Sequence, residues 1–353
     1  MNGVVLVSGG VDSSVALRLL QRQGHSLTAF YLKIWLEDEL SFLGVCPWQE
    51  DLKYVEAVCA QANVPLEVLS LQKEYWQEVV AHTLAEIKRG RTPNPDILCN
   101  QRIKFGAFYS YVDTSFDFVA TGHYARTEKK EGKTFLHTAP DSVKDQTYFL
   151  SHLSQEQLQR ACFPLGEVNK AQVREYASHF DLPNKDRKDS QGICFLGKLK
   201  FNEFLKYHLG EKPGDLIESE TGKKLGTHRG YWYHTIGQRQ GLGLSGGPWY
   251  VVAKNCEENS VFISKSYYTP DKIRDTFIVS SLNWINEAPQ KEMVKVKLRH
   301  GPVYNEAFLS ALDDGRYKVR LSQRDQGIAE GQHAVFYEGT HCLGGGVIEK
   351  YVL

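Results

Sequence analysis

A glycine- and serine-rich string near the start of the chain is the first feature with the residue types for chemistry. It reads Ser8-Gly9-Gly10-Val11-Asp12-Ser13-Ser14 and lies between the apolar run Val4–Val7 and a helical pattern. Glycines allow a tight turn close to an anion, and a helix N-terminus presents N–H groups suited to pyrophosphate. The string fits neither the Gly-x-x-x-x-Gly-Lys-Ser/Thr pattern nor Gly-x-Gly-x-x-Gly. It predicts a phosphate-binding loop in which Asp12 holds Mg²⁺ or orients the loop; an ordinary strand-to-helix turn with a serine cap is the alternative.

Cys99 lies in a segment that favours a reactive thiol. It follows the proline-stiffened segment Thr92–Asp96 and precedes the helical pattern Gln101–Tyr111. A helix N-terminus and nearby cations, here Arg102 and Lys104, lower the pKa of a thiol and raise its thiolate fraction. A buried structural cysteine is the alternative interpretation.

Cys194, within Gly192-Ile193-Cys194-Phe195, is a weaker candidate because its apolar flank suits a core cysteine equally well. The chain has seven cysteines, scattered at positions 46, 59, 99, 162, 194, 256 and 342, with no close Cys-x-x-Cys pair. This pattern argues against a structural zinc site and against a secreted disulfide framework, so we expect reduced thiols and no metal held by the cysteines.

Length and charge limit the class of protein. The 353 residues are enough for two or three domains, and no run approaches eighteen consecutive apolar residues, so no transmembrane helix is expected. The apolar run follows Met1 almost at once, from which we expect no signal or transit peptide and a cytoplasmic enzyme. The 42 basic and 42 acidic residues cancel, so nucleic-acid binding would require basic patches. Two such patches flank the cysteines, namely Lys88, Arg89, Arg91, Arg102, Lys104 and Lys185, Arg187, Lys188, Lys198, Lys200.

The elements that must position these residues change in type along the chain. Before about residue 180, short β-rich runs alternate with longer helical patterns, which predicts an α/β domain with a parallel sheet and functional loops at the carboxyl ends of its strands. After about residue 200, helical patterns disappear and short β-branched or aromatic runs follow one another. This predicts a small β-rich central domain and a C-terminal antiparallel β-barrel or sandwich. We place the domains at residues 1–200, 201–272 and 273–353.

The phosphate loop resembles the PP-loop of the N-type ATP pyrophosphatases, which cleave ATP between the α and β phosphates and adenylate a substrate oxygen. With the later motifs, the chain resembles the tRNA-specific 2-thiouridylase family. The matching strings occur in family order over nearly the whole chain: the PP-loop, Thr92-Pro93-Asn94-Pro95-Asp96 with Cys99-Asn100, Ala120–Tyr124, Lys144–Phe149, Gly192–Phe195, Gly230–Arg239 and Gly331–Tyr337. The resemblance implies an adenine nucleotide alpha hydrolase-like first domain, a tRNA-contacting second domain and a C-terminal barrel.

The resemblance also implies an activity. ATP, with Mg²⁺, would adenylate the C2 oxygen of the wobble uridine in tRNA, with tRNAs for Lys, Glu and Gln as the expected substrates. Cys194 would carry a persulfide received from a sulfur donor protein, and its sulfur would attack C2. Cys99 would be the second nucleophile, which either releases the sulfur by forming a Cys99–Cys194 disulfide or helps hydrogen sulfide leave. The sequence leaves both routes open.

Site residues carry over by motif. The resemblance assigns the ATP pocket to Leu6, Val7, Ser8, Gly9, Gly10, Val11, Asp12, Ser13, Leu32 and Gly122. It assigns contact with the target base to Asn94, Pro95 and Asp96, and further tRNA contacts to His123, Lys144, Asp145, Gln146, Arg299, His300 and Gln332. Each has a plainer interpretation: a strand-capping histidine at 123, an exposed helix start at 144–146, and a solvated barrel charge at 299.

Small departures from the family and rival functions complete the sequence-based view. Leu32 replaces the usual methionine, and Glu330 stands where proline is common. Asp96 and Cys99 also fit an Asp-x-x-Cys arrangement that can hold an iron–sulfur cluster, an alternative the sequence favours less. The rivals are another PP-loop adenylating ligase or amidotransferase acting on a small molecule, and a non-catalytic RNA-binding module. The small-molecule ligase would need neither paired reactive cysteines nor a C-terminal β-barrel.

Overall fold

A parallel sheet forms the core of the N-terminal part of the computed structural model, which describes residues 1–34, 47–112, 115–188, 201–269, 272, 274–325 and 327–352. The strand order is β3-β2-β1-β4-β7 and all pairings are parallel. Val4 and Val5 in the middle strand are fully buried, as expected for a strand covered on both faces. The strands are β1 Asn2–Leu6, β2 Ser26–Lys33, β3 Leu66–Ser70, β4 Phe118–Ala120 and β7 Ala161–Cys162.

Helices connect these strands, as the alternating pattern predicts. Two long helices contain a central π-helical section, where the hydrogen bonds widen from i→i−4 to i→i−5. Two later helices begin with capping boxes at Ser154 and Asn169, which satisfy the first N–H groups. The helical segments are Val11–Arg22, Pro47–Ala62, Gln72–Tyr75 with Trp76–Val80 and Ala81–Lys88, Pro95–Leu98 with Cys99–Ala107 and Phe108–Tyr111, Thr147–Leu150, Gln155–Arg160 and Lys170–His179.

The central part begins with a helix that sequence reasoning missed. We expected helices to end near residue 200, which is wrong, because Phe201–Leu209 is helical. Its buried Phe204 and Leu205 join the apolar cluster of the N-terminal part, so the helix is stabilised by long-range packing. A separate sheet of order β10-β11-β8-β9 follows, with a short 3₁₀ turn at Tyr231–Tyr233. Its strands are β8 Gly214–Glu218, β9 Lys224–His228, β10 Tyr250–Asn255 and β11 Ser260–Ser264.

The C-terminal part is a closed antiparallel barrel, which confirms the predicted fold class. The strand order is β12-β15-β14-β13-β16-β17, and the pairing of β12 with β17 closes the barrel. Alternate residues fill its interior, for example Phe277 and Val279 on one strand. The strands are β12 Thr276–Trp284, β13 Met293–Lys297, β14 Asn305–Ala311, β15 Tyr317–Leu321, β16 His333–Glu338 and β17 His341–Val352.

A hairpin from the N-terminal part extends the barrel sheet. It consists of β5 Ala125–Lys130 and β6 Lys133–Thr138, and β6 pairs with the start of β17 through Leu136 and Cys342. The hairpin lies inside the first predicted domain, yet its hydrogen bonds run to the last one. The α/β part and the barrel are therefore packed together beside the carboxyl ends of the parallel strands. No helix among the described residues is long and apolar enough to cross a membrane.

Candidate active site

The phosphate loop lies at the carboxyl end of β1, the middle strand of the parallel sheet. Helix Val11–Arg22 begins after Gly10, and this N-cap residue makes no side-chain hydrogen bond to the N–H groups of the first turn. That arrangement leaves these groups available to an anion. Gly9 has φ +77°, and a Cβ there would lie 2.7 Å from the carbonyl oxygen of Asp51, so the position requires glycine.

Serine hydroxyls hold the shape of the loop. Ser13 Oγ accepts a hydrogen bond from the amide of Ser8 at 3.1 Å and donates to the carbonyl of Gly10 at 3.0 Å. Ser14 Oγ donates to the same carbonyl at 3.1 Å. Both buried hydroxyls thus shape the backbone, while Ser8 is exposed at the mouth of the loop.

Two residues far along the chain brace the loop, and sequence reasoning missed this role for both. Asn184 Nδ2 donates to the carbonyl of Gly9 and to Ser14 Oγ, each at 2.9 Å. Arg187 Nη1 donates to the Gly9 carbonyl at 3.0 Å, and the guanidinium pairs with Asp51. We predicted Arg187 as part of a phosphate-binding patch, but these contacts commit it to the loop. Nothing local in the sequence signals a contact over 170 positions.

Asp12 is held from two directions. Its Oδ1 accepts from Lys170 Nζ at 2.6 Å and from Tyr124 Oη at 2.9 Å. Lys170 is the first residue of its helix, and Tyr124 follows β4. We predicted that Asp12 holds Mg²⁺ or orients the loop, and these contacts support the second role.

Gly122 brings the end of β4 against the loop. A Cβ at Gly122 would lie 2.7 Å from the amide nitrogen of Ser13, so a side chain would displace the loop. The next residue, His123, shares a 2.7 Å hydrogen bond between its Nδ1 and Thr121 Oγ1. Burial and the charge of Lys104 keep the pKa of His123 well below its ordinary value, so its ring is neutral at pH 7.

The other predicted pocket residues are apolar side chains of the α/β part. Val7 and Val11 are buried within the α/β core. Leu6 and Leu32 lie at or near the ends of adjacent strands; Leu6 belongs to the apolar cluster that contains Cys99, and the partly buried Leu32 packs against that cluster. The predicted pocket residues Leu6 and Leu32 and the predicted nucleophile Cys99 therefore pack into one apolar cluster.

Cys99 is fully buried and lies one turn inside a helix, after the segment Pro95–Leu98. The predicted position at the helix N-terminus is thus only approximately right. The predicted flanking cations have other partners: Arg102 donates to the Glu78 carbonyl at 3.0 Å, and Lys104 donates to Asn100 Oδ1 at 3.0 Å. The second predicted nucleophile, Cys194, lies outside the described residues.

The predicted base-contacting segment begins the same helix. Asn94 Oδ1 accepts from the amides of Asp96 and Ile97 at 3.1 and 3.2 Å, which caps the helix. Pro95 occupies the first helical turn and is buried, whereas Asn94 and Asp96 are half-buried. This segment is therefore rigidly held near the surface.

The predicted tRNA contacts divide into exposed and enclosed side chains. Arg299 has a side chain 61% exposed and pairs with Asp325. Asp145, by contrast, is 1% exposed, and its carboxylate binds Lys297 at 2.8 Å. The expectation that the Asp145 side chain contacts tRNA does not fit this position, because the carboxylate faces the protein interior. Its buried partner explains why a charged residue is tolerated there.

The remaining predicted tRNA residues lie around Asp145 and the barrel rim. His300 Nε2 shares a 3.0 Å hydrogen bond with the Asp145 carbonyl. Gln146 Oε1 accepts from the Tyr124 amide at 3.0 Å, while Lys144 is half-buried beside them. The Gln332 side-chain oxygen is buried with no hydrogen-bond partner among the described residues. These positions stay predictions as RNA contacts.

Comparisons with known proteins agree with this architecture. Three family models match in order: a tRNA methyl transferase HUP domain at residues 1–198, a tRNA methyl transferase PRC-barrel domain at 202–265, and an aminomethyltransferase beta-barrel domain at 274–348. Among solved structures, NMN synthetase from Francisella tularensis is 16% identical with a TM-score of 0.35, covering 57% of this chain and 71% of that chain. That TM-score is too low to support an argument.

Curated relatives match over the full length. A tRNA-specific 2-thiouridylase from Bacteroides thetaiotaomicron is 47% identical, covering 99% of this chain and 100% of its own. Those from Parabacteroides distasonis and Porphyromonas gingivalis are each 44% identical and cover 99% of both chains. The loop, the parallel sheet and the two β domains define a PP-loop nucleotide-binding protein. Within that class, the chain belongs to the tRNA-specific 2-thiouridylase family.

Proposed function

We propose that this protein is a tRNA-uridine 2-sulfurtransferase. It uses ATP to adenylate the C2 oxygen of the wobble uridine, releasing pyrophosphate, and then replaces that oxygen with sulfur, releasing AMP. The observation that carries the proposal is the position of Gly122 and His123. Gly122 touches the phosphate loop at Ser13, and the His123 ring lies 6.4 Å from that of Phe105 in the helix of Cys99. The nucleotide loop and the helix that carries Cys99 thus both lie close to the residues that follow β4.

Adenylation solves a leaving-group problem. The uridine C2 oxygen leaves poorly, whereas AMP leaves readily once that oxygen is bonded to the α phosphorus. The loop supports this step because its first-turn N–H groups lie at a helix N-terminus, where negative charge on the phosphates is stabilised. Asp12, held by Lys170 and Tyr124, keeps the loop in the shape that receives the nucleotide.

Mg²⁺ fits the loop as a companion of ATP. In nucleotide sites this ion is bound mainly by phosphate oxygens and water with one or two carboxylates, and Asp12 is a half-buried carboxylate in the loop itself. When bound, Mg²⁺ would neutralise charge on the phosphates. Asp12 would then bind the ion while its carboxylate also pairs with Lys170.

Sulfur transfer requires a persulfide on Cys194, supplied by a donor protein. Its terminal sulfur forms the C–S bond as the C2–O bond to AMP breaks. Cys99 then attacks the sulfur of Cys194, forming a Cys99–Cys194 disulfide and leaving the transferred sulfur on the base; in the alternative route the disulfide forms first and hydrogen sulfide attacks C2. Because Cys99 is fully buried, either route requires that the groups covering it move when RNA binds.

Pyrophosphate release tests the adenylation step. We expect release from ATP and Mg²⁺ to depend on an unmodified tRNA with a wobble uridine, and to stay at background with a matched transcript carrying a wobble cytidine. Release without RNA would instead favour a ligase acting on a small molecule. Absence of release with any RNA, despite RNA binding, would favour a non-catalytic RNA-binding module.

A further inference from the structure

A completely buried ion pair joins the α/β part to the barrel. Lys297 Nζ lies 2.8 Å from Asp145 Oδ2, and each side chain is 1% exposed. Asp145 precedes helix Thr147–Leu150, whereas Lys297 is the last residue of β13. Removing two charges from water is costly, so such a pair is stable only where further hydrogen bonds or contacts satisfy both charges.

Further polar and aromatic groups contact both members of the pair. Thr147 Oγ1 lies 3.0 Å from both carboxylate oxygens of Asp145. The Lys297 ammonium lies over two aromatic rings, 4.4 Å from the centre of Tyr304 and 5.4 Å from that of Tyr337. These contacts fix the direction of both charges, which an apolar contact would not do.

The pair lies between two segments predicted to contact RNA. His300, three residues after Lys297, hydrogen-bonds with the Asp145 carbonyl at 3.0 Å, and its ring stacks on Phe149 at 4.8 Å. Nearby, Tyr148 Oη lies 3.2 Å from the carbonyl of His333, at the start of β16. The segments Lys144–Gln146 and Arg299–His300 therefore meet through contacts that join the α/β part to the barrel.

We propose that the Lys297–Asp145 pair fixes the relative position, here called the register, of the segments Lys144–Gln146 and Arg299–His300. Through that position it sets the affinity for RNA. Lys297 is then a positioning residue for the proposed function, on which the identity of the ligand as tRNA rests. Buried ion pairs are often replaceable by neutral residues without loss of stability. Packing alone therefore predicts a harmless neutral replacement, whereas positioning predicts a selective loss of RNA binding.

The test compares two double variants of the full-length chain. Lys297→Met with Asp145→Asn removes both buried charges together and keeps the side-chain volumes. The control, Lys133→Met with Glu287→Gln, removes an ion pair of 2.6 Å that also joins the hairpin to the barrel part but is exposed. The measurements are the Kd for unmodified tRNA at fixed salt, the Kd for ATP, the unfolding temperature, and KM and kcat for thiolation.

We expect the buried-pair variant to bind tRNA about tenfold more weakly, with KM raised and kcat nearly unchanged. Its ATP affinity should equal that of wild type, and the control variant should behave as wild type throughout. Wild-type tRNA affinity in a folded buried-pair variant would overturn the proposal. If that variant fails to fold, Thr147→Val serves in its place. It removes the hydroxyl that hydrogen-bonds with the Asp145 carboxylate and with Tyr337 Oη, and unchanged tRNA affinity there would equally overturn the proposal.

Hydrogen exchange separates this proposal from the proposed function, because it needs no RNA. Amides at 145–148 and 298–300 should exchange faster together in the buried-pair variant, or in Thr147→Val, and not in the control. If wild type does not bind tRNA, the proposed function fails. Faster exchange in both segments of the buried-pair variant would even then support the proposal that the ion pair fixes their relative position. Unchanged exchange in both segments would show that the ion pair does not fix their relative position.

Discussion

Lys170 and Asp12 form an ion pair across the phosphate loop, with Lys170 Nζ 2.6 Å from Asp12 Oδ1. Their side chains are 17% and 31% exposed, so water screens the pair only partly. Tyr124 Oη donates to the same carboxylate oxygen at 2.9 Å. The orientation of an acidic loop residue is thus set by two segments far away in the sequence.

Loss of this contact should weaken nucleotide binding. For Lys170→Met we expect ATP affinity to fall about tenfold, because a charge-assisted hydrogen bond that orients Asp12 is lost. The free energy of unfolding should drop by only about 1 kcal/mol. Isothermal titration with ATP and Mg²⁺ measures the first quantity and urea unfolding the second. Lys224→Met, which removes an exposed ion pair with Asp215, is the control; equal ATP affinities in the two variants would contradict the role of Lys170.

The close approach of β4 to the loop gives a second prediction. In Gly122→Ala the new Cβ would lie 2.7 Å from the Ser13 amide nitrogen, so the loop must shift. We expect ATP affinity to fall at least about tenfold, with about 1–3 kcal/mol lost from stability. Gly24→Ala is the matched control: it has φ +82° with nothing within 4 Å, so it should cost about 1 kcal/mol in backbone strain and leave ATP binding intact. Normal ATP binding by Gly122→Ala would show that the loop tolerates displacement.

A buried histidine pair predicts how stability changes with pH. The rings of His152 and His333 lie 4.7 Å apart and are 8% and 4% exposed. Burial, with a smaller effect of the Arg102 charge, lowers the pKa of His152 to about 4, and burial lowers that of His333 well below its ordinary value. Because both pKa values are lower in the folded state, the unfolded chain binds more protons below pH 6.5. This contribution to stability is complete above pH 6.5 and is lost as the pH falls toward 4.

Urea unfolding between pH 7.5 and 5 checks this dependence. Each of the two histidines should contribute a loss of up to about 1.4 kcal/mol per pH unit. In His152→Phe the slope should therefore be smaller than in wild type. An identical slope in His152→Phe and wild type would show that His152 titrates normally in the folded protein.

The fold class and the phosphate loop were predictable because their signals are local. The run Val4–Val7 and the string from Ser8 to Ser14 are contiguous, and the alternation of strands and helices needs only short windows. The helix Phe201–Leu209 was missed although its pattern is local, because its surroundings are β-rich. Its stability comes from burying Phe204 and Leu205 against the N-terminal core.

What sequence reasoning missed depends on distant partners. The hairpin pairs with the barrel through Leu136 and Cys342, and such long-range pairing leaves no periodic signal. Family resemblance predicted a tRNA contact at Asp145, and no local signal in the sequence indicates that its carboxylate is buried. Only its contact with Lys297, 152 positions later, shows that this carboxylate is enclosed. Family resemblance supplied the site residues but not the geometry that holds them.

The most direct test of the central proposal is the mass of the tRNA after reaction. Unmodified tRNA is incubated with ATP, Mg²⁺ and a persulfide donor, digested, and analysed by mass spectrometry. We predict that wild type and the control Cys162→Ser, a half-buried cysteine at the end of β7, exchange one oxygen for sulfur at the wobble uridine. Cys99→Ser and Cys194→Ser should leave the tRNA mass unchanged. Normal thiolation by either of these two variants, or sulfur at another nucleotide, would contradict the proposed mechanism.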